Sequence, residues 1–166
     1  MQKSKKIVRR TLNGAASGFL ATFPMTVTMF GIRNALPLFH HHSTPPYKIT
    51  SKVFRKLQML APWETKKKKA LTTASHFGYG AAGGVVYSMF ANKSELSPAV
   101  KGSLFGLLVW VSSYFGWLPA TNILPAYKEH PKRHAMMAAS HVVWGTAMAY
   151  IFQRVEKTRR FNGVNQ

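Results

Sequence analysis

The chemistry open to this chain rests mostly on seven histidines, and two of them stand in unusual places. His76 and His141 are each the seventh residue of a long stretch without Lys, Arg, Asp or Glu, Ala70–Asn92 and Ala135–Gln153. An ionisable side chain inside an apolar span is a functional candidate by default. A neutral imidazole there has three uses. It can bond a backbone carbonyl, the adjacent Ser75 or Ser140, or the other imidazole, and so hold helices together. Two imidazoles from facing helices can be axial ligands to haem iron or another metal. They can also line a proton or solute pathway, although no carboxylate stands inside a span to assist. Tyr79 and Trp144 follow each His three residues on, within a shared S-H-x-x-aromatic-G pattern that ends at Gly80 and Gly145. The other histidines fall outside the stretches: His40, His41 and His42 after one, His130 and His134 with Glu129 after another. They hold enough nitrogen for a transition metal. Consecutive histidines splay apart, however, so these residues read as a pH-sensitive, solvated rim, and no metal site is assigned.

Catalysis has little else to draw on. There is no Cys and no Asp, and the acidic residues are Glu64, Glu95, Glu129 and Glu156. Paired carboxylates and carboxylate-held Mg²⁺ are therefore hard to build. No GxSxG, HExxH, P-loop or dinucleotide motif is present. Ser75-His76 is sequence-adjacent and has no acidic orienter, which does not make a nucleophile and base. The expectation is a non-enzymatic protein with no catalytic residue and no cofactor.

Four stretches must carry the two histidines and their neighbours. Thr11–Ile32, Ala70–Asn92, Gly102–Tyr127 and Ala135–Gln153 contain no charged residue, and all 23 Lys and Arg lie between or outside them. Each is close to or longer than the roughly 20 residues that cross a bilayer as a helix. The expected fold is all-α: one integral membrane domain over 1–166, with spans at about 11–32, 70–92, 102–127 and 135–153. A soluble basic helical domain is the rival reading, and it leaves the long charge-free runs unexplained. The formal charge of +19 then implies anionic membrane lipid as the partner, and no nucleic acid. The first span has the basic start of a signal peptide but is too long for one and lacks a small-x-small cleavage site, so it reads as a retained helix.

The stretches also repeat. Residues 13–39 align without gaps on 101–127, bringing Gly14, Gly18 and Asn34 onto Gly102, Gly106 and Asn122. Residues 70–91 align on 135–156, bringing Ser75, His76 and Gly80 onto Ser140, His141 and Gly145. The two alignments differ by 23 residues, an insertion in the first loop. The expected architecture is a four-helix bundle of two pseudo-symmetric helical hairpins, related by an axis along the membrane normal. Gly14, Gly18, Gly102, Gly106, Gly80 and Gly145 are assigned to close helix packing. Pro24 is expected to kink the first helix, and its counterpart Ser112-Ser113 to bend the third more gently. Pro37 and Pro125 mark helix exits.

Within the insertion, Pro45-Pro46 is expected to break any helix. From Ile49 to Ala61 the apolar residues share one face, opposite Lys52 and Arg55, with Lys56 at the border. This predicts an amphipathic helix over about 49–61, lying in the membrane interface or packed across the bundle mouth, with Trp63 at headgroup depth. Lys66, Lys67, Lys68 and Lys69 abut the second span as a further headgroup contact. The two sides of the membrane carry 11 and 12 basic residues. The N-terminal cluster tips this near-balance towards a cytoplasmic N-terminus. The balance also fits a chain that inserts both ways.

The segments "NGAASGFLATFPMTVTMFGIRNALP", "ITSKVFRKL" and "ASHFGYGAAGGVVY" together resemble the YagU-like family of small, uncharacterised bacterial inner-membrane proteins. The resemblance runs from about Asn13 to Phe152. It implies a multi-pass protein of the bacterial inner membrane and nominates no substrate, cofactor or catalytic residue. The functional expectation is a membrane scaffold or envelope-maintenance protein that contacts lipid, itself or other membrane proteins. The alternatives are a transporter or channel component using His76 and His141, and a bis-His haem protein.

Overall fold

A computed structural model describes residues 2–35, 45–56, 65–91, 95–122 and 130–162. His40–His42, Leu57–Ala61, Trp63, Glu129, Pro37 and Pro125 lie outside them, and of Lys56 only the backbone is described. Among the described residues every regular element is helical: α1 (Gln2–Ala35), α2 (Pro45–Lys56), α3 (Thr65–Phe90), α4 (Pro98–Val111), a π-helical segment (Ser112–Trp117), α5 (Leu118–Ala120) and α6 (Pro131–Asn162).

The helices outrun the charge-free stretches. α1 takes in the basic N-terminal residues, α3 starts among Lys66–Lys69, and α6 continues past Arg154. Charge limits how deep a helix enters lipid but does not end it, since Lys and Arg are good helix formers. At 1.5 Å per residue the 34 residues of α1 span about 51 Å, well beyond a hydrocarbon core of roughly 30 Å. Three helical stretches are long and apolar enough to cross a membrane: Ser4–Ala35, Pro98–Ala120 and Pro131–Thr158. α3 has 26 residues but is not among them. Its lysines and its run of Gly, Ala and Thr dilute its hydropathy.

Two expected boundaries are corrected. α2 begins on Pro45-Pro46 instead of being broken by them, because in a first helical turn the missing N–H is harmless and the proline φ is already helical. The third helical run ends before 127: Asn122 takes a left-handed φ of 55°, which closes a helix C-terminus. Its aligned partner Asn34 is still helical within α1. Pro24, the expected kink site, lies inside α1. The Ser112-Ser113 pair opens the π-helical segment, a local widening of the helix that places Ser113 and Tyr114 inside, both buried.

Packing is antiparallel and close. α1 packs against α3 and α6, and α4 packs against α6. α3 and α4 meet instead through side chains, Tyr79 with Ser113 and Tyr87 with Phe105. A twofold that exchanged the hairpins would carry the broad α1–α6 contact onto α3–α4, where no such contact exists. The glycine contacts within the two hairpins also differ. In the first, Gly14 faces Gly84 and Gly18 faces Gly80; in the second, Gly102 faces Gly145 and Gly106 faces His141. With Gly80 aligned on Gly145, the nearest contacts of the second pair are displaced by one helical turn, while Gly102 also meets Ala149 and Gly106 also meets Gly145.

What lies inside explains how these helices hold together. Asn13, Ser17, Thr22, Ser88, Ser113 and Ser140 are buried, while Phe19, Leu20, Phe23, Val27, Leu104, Leu108 and Phe115 are exposed. In water that distribution is inverted. In lipid it is the expected one, since small residues let backbones approach and apolar side chains lose nothing by facing hydrocarbon. Ser17 Oγ donates to the Asn13 carbonyl (2.7 Å) and Thr22 Oγ1 to the Gly18 carbonyl (2.9 Å), so these two buried hydroxyls are satisfied within their own helix. At one end Asn13 Nδ2 donates to Glu156 Oε1 (2.6 Å), joining α1 to α6. At the other, Ile49 and Val53 of α2 pack on a cluster of Met29, Tyr114, Leu118, Met136 and Met137. Of the two placements expected for the amphipathic helix, α2 takes the one across the bundle mouth, with its apolar face on the core and Arg55 exposed.

Candidate functional site

Beneath α2 lies a cavity of about 270 Å³ walled by every long helix. α1 contributes Thr22 and Met25, and α3 contributes Ser75, His76, Tyr79 and Gly80. α4 and the π-helical segment supply Val109, Ser113, Tyr114 and Trp117, and α6 supplies Met137, His141 and Trp144. Ile49, Thr50, Val53 and Phe54 of α2 form the lid. His76 and His141, far apart in the chain, thus share one chamber. Of their neighbours, Ser75, Tyr79 and Trp144 line it as well. Ser140 does not: it is fully buried and donates to the Met136 carbonyl (2.8 Å).

The two imidazoles are not equivalent. His141 Nδ1 bonds the Met137 carbonyl at 2.8 Å. That bond puts the proton of a neutral ring on Nδ1 and leaves Nε2 as an acceptor. The backbone at His141 is pressed against Gly106, so a packing role accounts for this residue. His76 differs. Its Nε2 is buried and has no hydrogen-bond partner among the described residues, in a site where such a group normally has one. The cavity it faces is mostly apolar.

Trp144 is a structural keystone of the same chamber. Its Nε1 donates across helices to the Gly18 carbonyl (3.1 Å), and its ring packs against Phe105 and over Gly83. Tyr79 and Trp117, both well exposed, stand at the edge of the cavity where α3 and α4 do not close on each other. The Tyr79–Ser113 hydrogen bond (2.8 Å) bridges that gap. Tyr79→Phe and Ser113→Ala are each expected to lower stability in detergent by about 0.6 kcal/mol, the mean for polar contacts between membrane helices. The double variant should add nothing further if the two hydroxyls act only on each other. Thermal unfolding of the four proteins checks this as a double-mutant cycle.

The remaining residues singled out by type and spacing disperse over the surface. His134 is held among aromatic rings, stacked on Phe115 at 5.6 Å and edge-on to Tyr114 at 5.8 Å. His130 precedes α6 and is exposed, its Nδ1 accepting from the Lys132 N–H (3.2 Å). Among the described residues no cluster of three or more His, Asp or Glu could hold a metal. Lys66, Lys67 and Lys69 are exposed at the start of α3, and Lys68 and Lys52 are half-buried. Residue types alone did not point to Met25, Ser113, Tyr114, Trp117 or Met137 as cavity walls. Ser113 carried the only signal, as a polar pair in an apolar run.

No family model, no curated protein and no solved structure matches this chain.

Proposed function

We propose that this chain is a non-enzymatic, four-span membrane protein, and that its membrane is the bacterial inner membrane, as the YagU-like resemblance implies. In this reading it is a small scaffold whose central cavity holds one lipophilic molecule bearing a hydrogen-bonding group. The observation that carries this is His76, which lines an apolar chamber and whose Nε2 is buried with no hydrogen-bond partner among the described residues. An occupant with a carbonyl, hydroxyl or ether oxygen would relieve the desolvation of that nitrogen, which otherwise costs about 1–3 kcal/mol. The volume is below the range that drug-sized ligands fill. That favours a slender chain or single ring over a haem. The gap between α3 and α4, with Tyr79 at its edge, supports entry sideways from lipid.

The fourth span is α3. Its antiparallel contact with α1 through Gly14, Gly18, Gly80 and Gly84 supports counting it as membrane-crossing despite its lower hydropathy. Neighbouring helices, not lipid alone, surround its small residues. The anionic leaflet supplies the partner for the basic ends, and a second copy or another membrane protein remains the natural protein partner.

The full chain, purified in mild detergent, is expected to carry a lipophile in a fixed ratio, found by mass spectrometry of the extract. His76→Leu should retain about tenfold less of it, the worth of one good hydrogen bond. An empty extract, or equal retention by His76→Leu, would overturn the proposal. His76 also borders a second hollow, which favours a transporter or channel component as the second reading. Solute flux in proteoliposomes, abolished by His76→Ala and His141→Ala, would replace the scaffold reading with that one.

A further inference from the structure

The second hollow lies on the opposite side of His76, between α1 and α3, and measures about 500 Å³. Its walls follow helical spacing. Thr26, Met29, Phe30 and Arg33 share one face of α1, and Lys69, Thr72, Thr73, His76 and Phe77 share one face of α3. Because the helices are antiparallel, Arg33 and Lys69 stand together at the end nearer the membrane surface, and Tyr47 of α2 joins them. Seven residues inward on each helix are Thr26 and His76. The hollow is therefore about 10 Å deep at 1.5 Å per residue, with cations at its mouth, Met29, Phe30 and Phe77 below, and Thr26 and His76 at its inner end.

The surface continues inward as a strip of rings. Phe77 packs on Phe23 (4.7 Å) and Phe19 (4.9 Å), and Phe19, Phe23 and Phe30 are exposed. Two cations and a tyrosine at headgroup depth, above an apolar groove that opens on exposed rings, are complementary to one class of molecule. It has a negative head and a hydrocarbon tail.

We propose that the α1–α3 groove binds a single anionic phospholipid, its phosphate between Arg33 and Lys69 and one acyl chain along Met29, Phe30 and Phe77. Arg33 offers a planar fork of donors to the phosphate and Lys69 a mobile point charge. Thr72 and Thr73 flank the ester region, although their hydroxyls also donate to the Lys68 and Lys69 carbonyls. The site depends on the membrane placement proposed above and not on an occupant in the central cavity.

The test uses the full chain in a neutral detergent, titrated separately with dioleoyl phosphatidylglycerol, dioleoyl phosphatidylcholine and glycerol 3-phosphate. Native mass spectrometry and the unfolding midpoint are the readouts. Phosphatidylglycerol alone should be retained at one per chain and raise the midpoint. Apparent affinity should fall several-fold in Lys69→Gln and on the order of tenfold or more in Arg33→Gln/Lys69→Gln, each cation near the surface being worth a few-fold. Lys5→Gln/Lys6→Gln, the same charge removed at the other end of α1, should leave it unchanged. An equal response to phosphatidylcholine would reduce the site to general lipid contact. A response to glycerol 3-phosphate would make it a free phosphate site, and equal loss in Lys5→Gln/Lys6→Gln would make it diffuse charge. Each of these overturns the proposal, as would full affinity in Lys69→Gln and the double variant. Lys69 is exposed, so its single variant decides the matter if the double does not fold. An empty lipophile extract would sink the cavity reading and leave this titration standing.

Discussion

Gly18→Leu is expected to destabilise the protein by about 3 kcal/mol, the upper end for overpacking a filled interior, or to prevent its folding. A side chain at this position meets the Gly80 carbonyl oxygen first and then the Cα and N of Gly84, the latter two at 2.9 Å. All are backbone, so no flexible side chain can swing aside and α1 must move off α3. The same shift disturbs the far side of α1, because the Gly18 carbonyl receives the indole N–H of Trp144 from α6. One residue therefore couples three helices. Gly31→Ala is the control: nothing lies within 4 Å of its side-chain position. It should be neutral, or stabilising by up to about 1 kcal/mol through helix propensity. Thermal unfolding followed by circular dichroism in detergent reads both. Equal midpoints for Gly18→Leu and Gly31→Ala would show that the small faces are not where the helices meet.

These two glycines also mark how far sequence reasoning reaches in such a chain. Spacing and composition pick out Gly14, Gly18, Gly80, Gly102, Gly106 and Gly145 as small, and small residues in an apolar helix imply a neighbour. They do not say which neighbour, or at what height. In the second hairpin the nearest contacts of Gly102 and Gly106 are displaced by a turn from those that alignment would assign, so that Gly106 meets the His141 backbone before that of Gly145. Register in lipid-facing helices is set by summed van der Waals fit over many small residues. No single residue type announces that. The exterior of α3 shows the converse. Its Gly, Ser and Thr content keeps its hydropathy below that of the three apolar helices, although no charge stands from Ala70 to Asn92.

His76 and His141 were legible because ionisable residues in charge-free runs are rare, and both do line one cavity. What the chain could not disclose was their inequality. His141 Nδ1 is engaged with the Met137 carbonyl one turn back, a local bond open to any helical histidine, whereas His76 Nε2 has no partner among the described residues. The difference arises from packing of distant helices around each ring. The π-helical segment is similar. Ser112-Ser113 suggested a bend, but the widened turn that brings Ser113 and Tyr114 inward depends on side chains across the bundle. Pro45-Pro46 misled for a simpler reason: proline is a breaker only where an N–H is needed, and a first turn needs none.

Trp144 separates the two contributions that hold the cavity open. Trp144→Ala is expected to cost about 3–5 kcal/mol, the range for removing a buried aromatic. It withdraws the ring from Phe105, exposes the Gly83 face, and merges its own volume with the central chamber. Trp144→Phe keeps most of that packing and removes the indole N–H. The loss should stay within about 0.5–1.5 kcal/mol, the net worth of one hydrogen bond. The Gly18 carbonyl is not abandoned when the indole goes, because Thr22 Oγ1 still donates to it at 2.9 Å. The ordering then discriminates between two views of this protein. If packing dominates, Trp144→Phe lies close to the parent and Trp144→Ala far below it. If the interhelical hydrogen bond dominates, the two variants fall together, and the description of these helices as held by small-residue contact is wrong. An occupant in the cavity adds one further expectation. A saturating lipophile should recover part of the stability of Trp144→Ala and little of Trp144→Phe, since only the first has lost volume that a ligand can refill. Unfolding midpoints of both variants, with and without the extracted lipophile, decide the question.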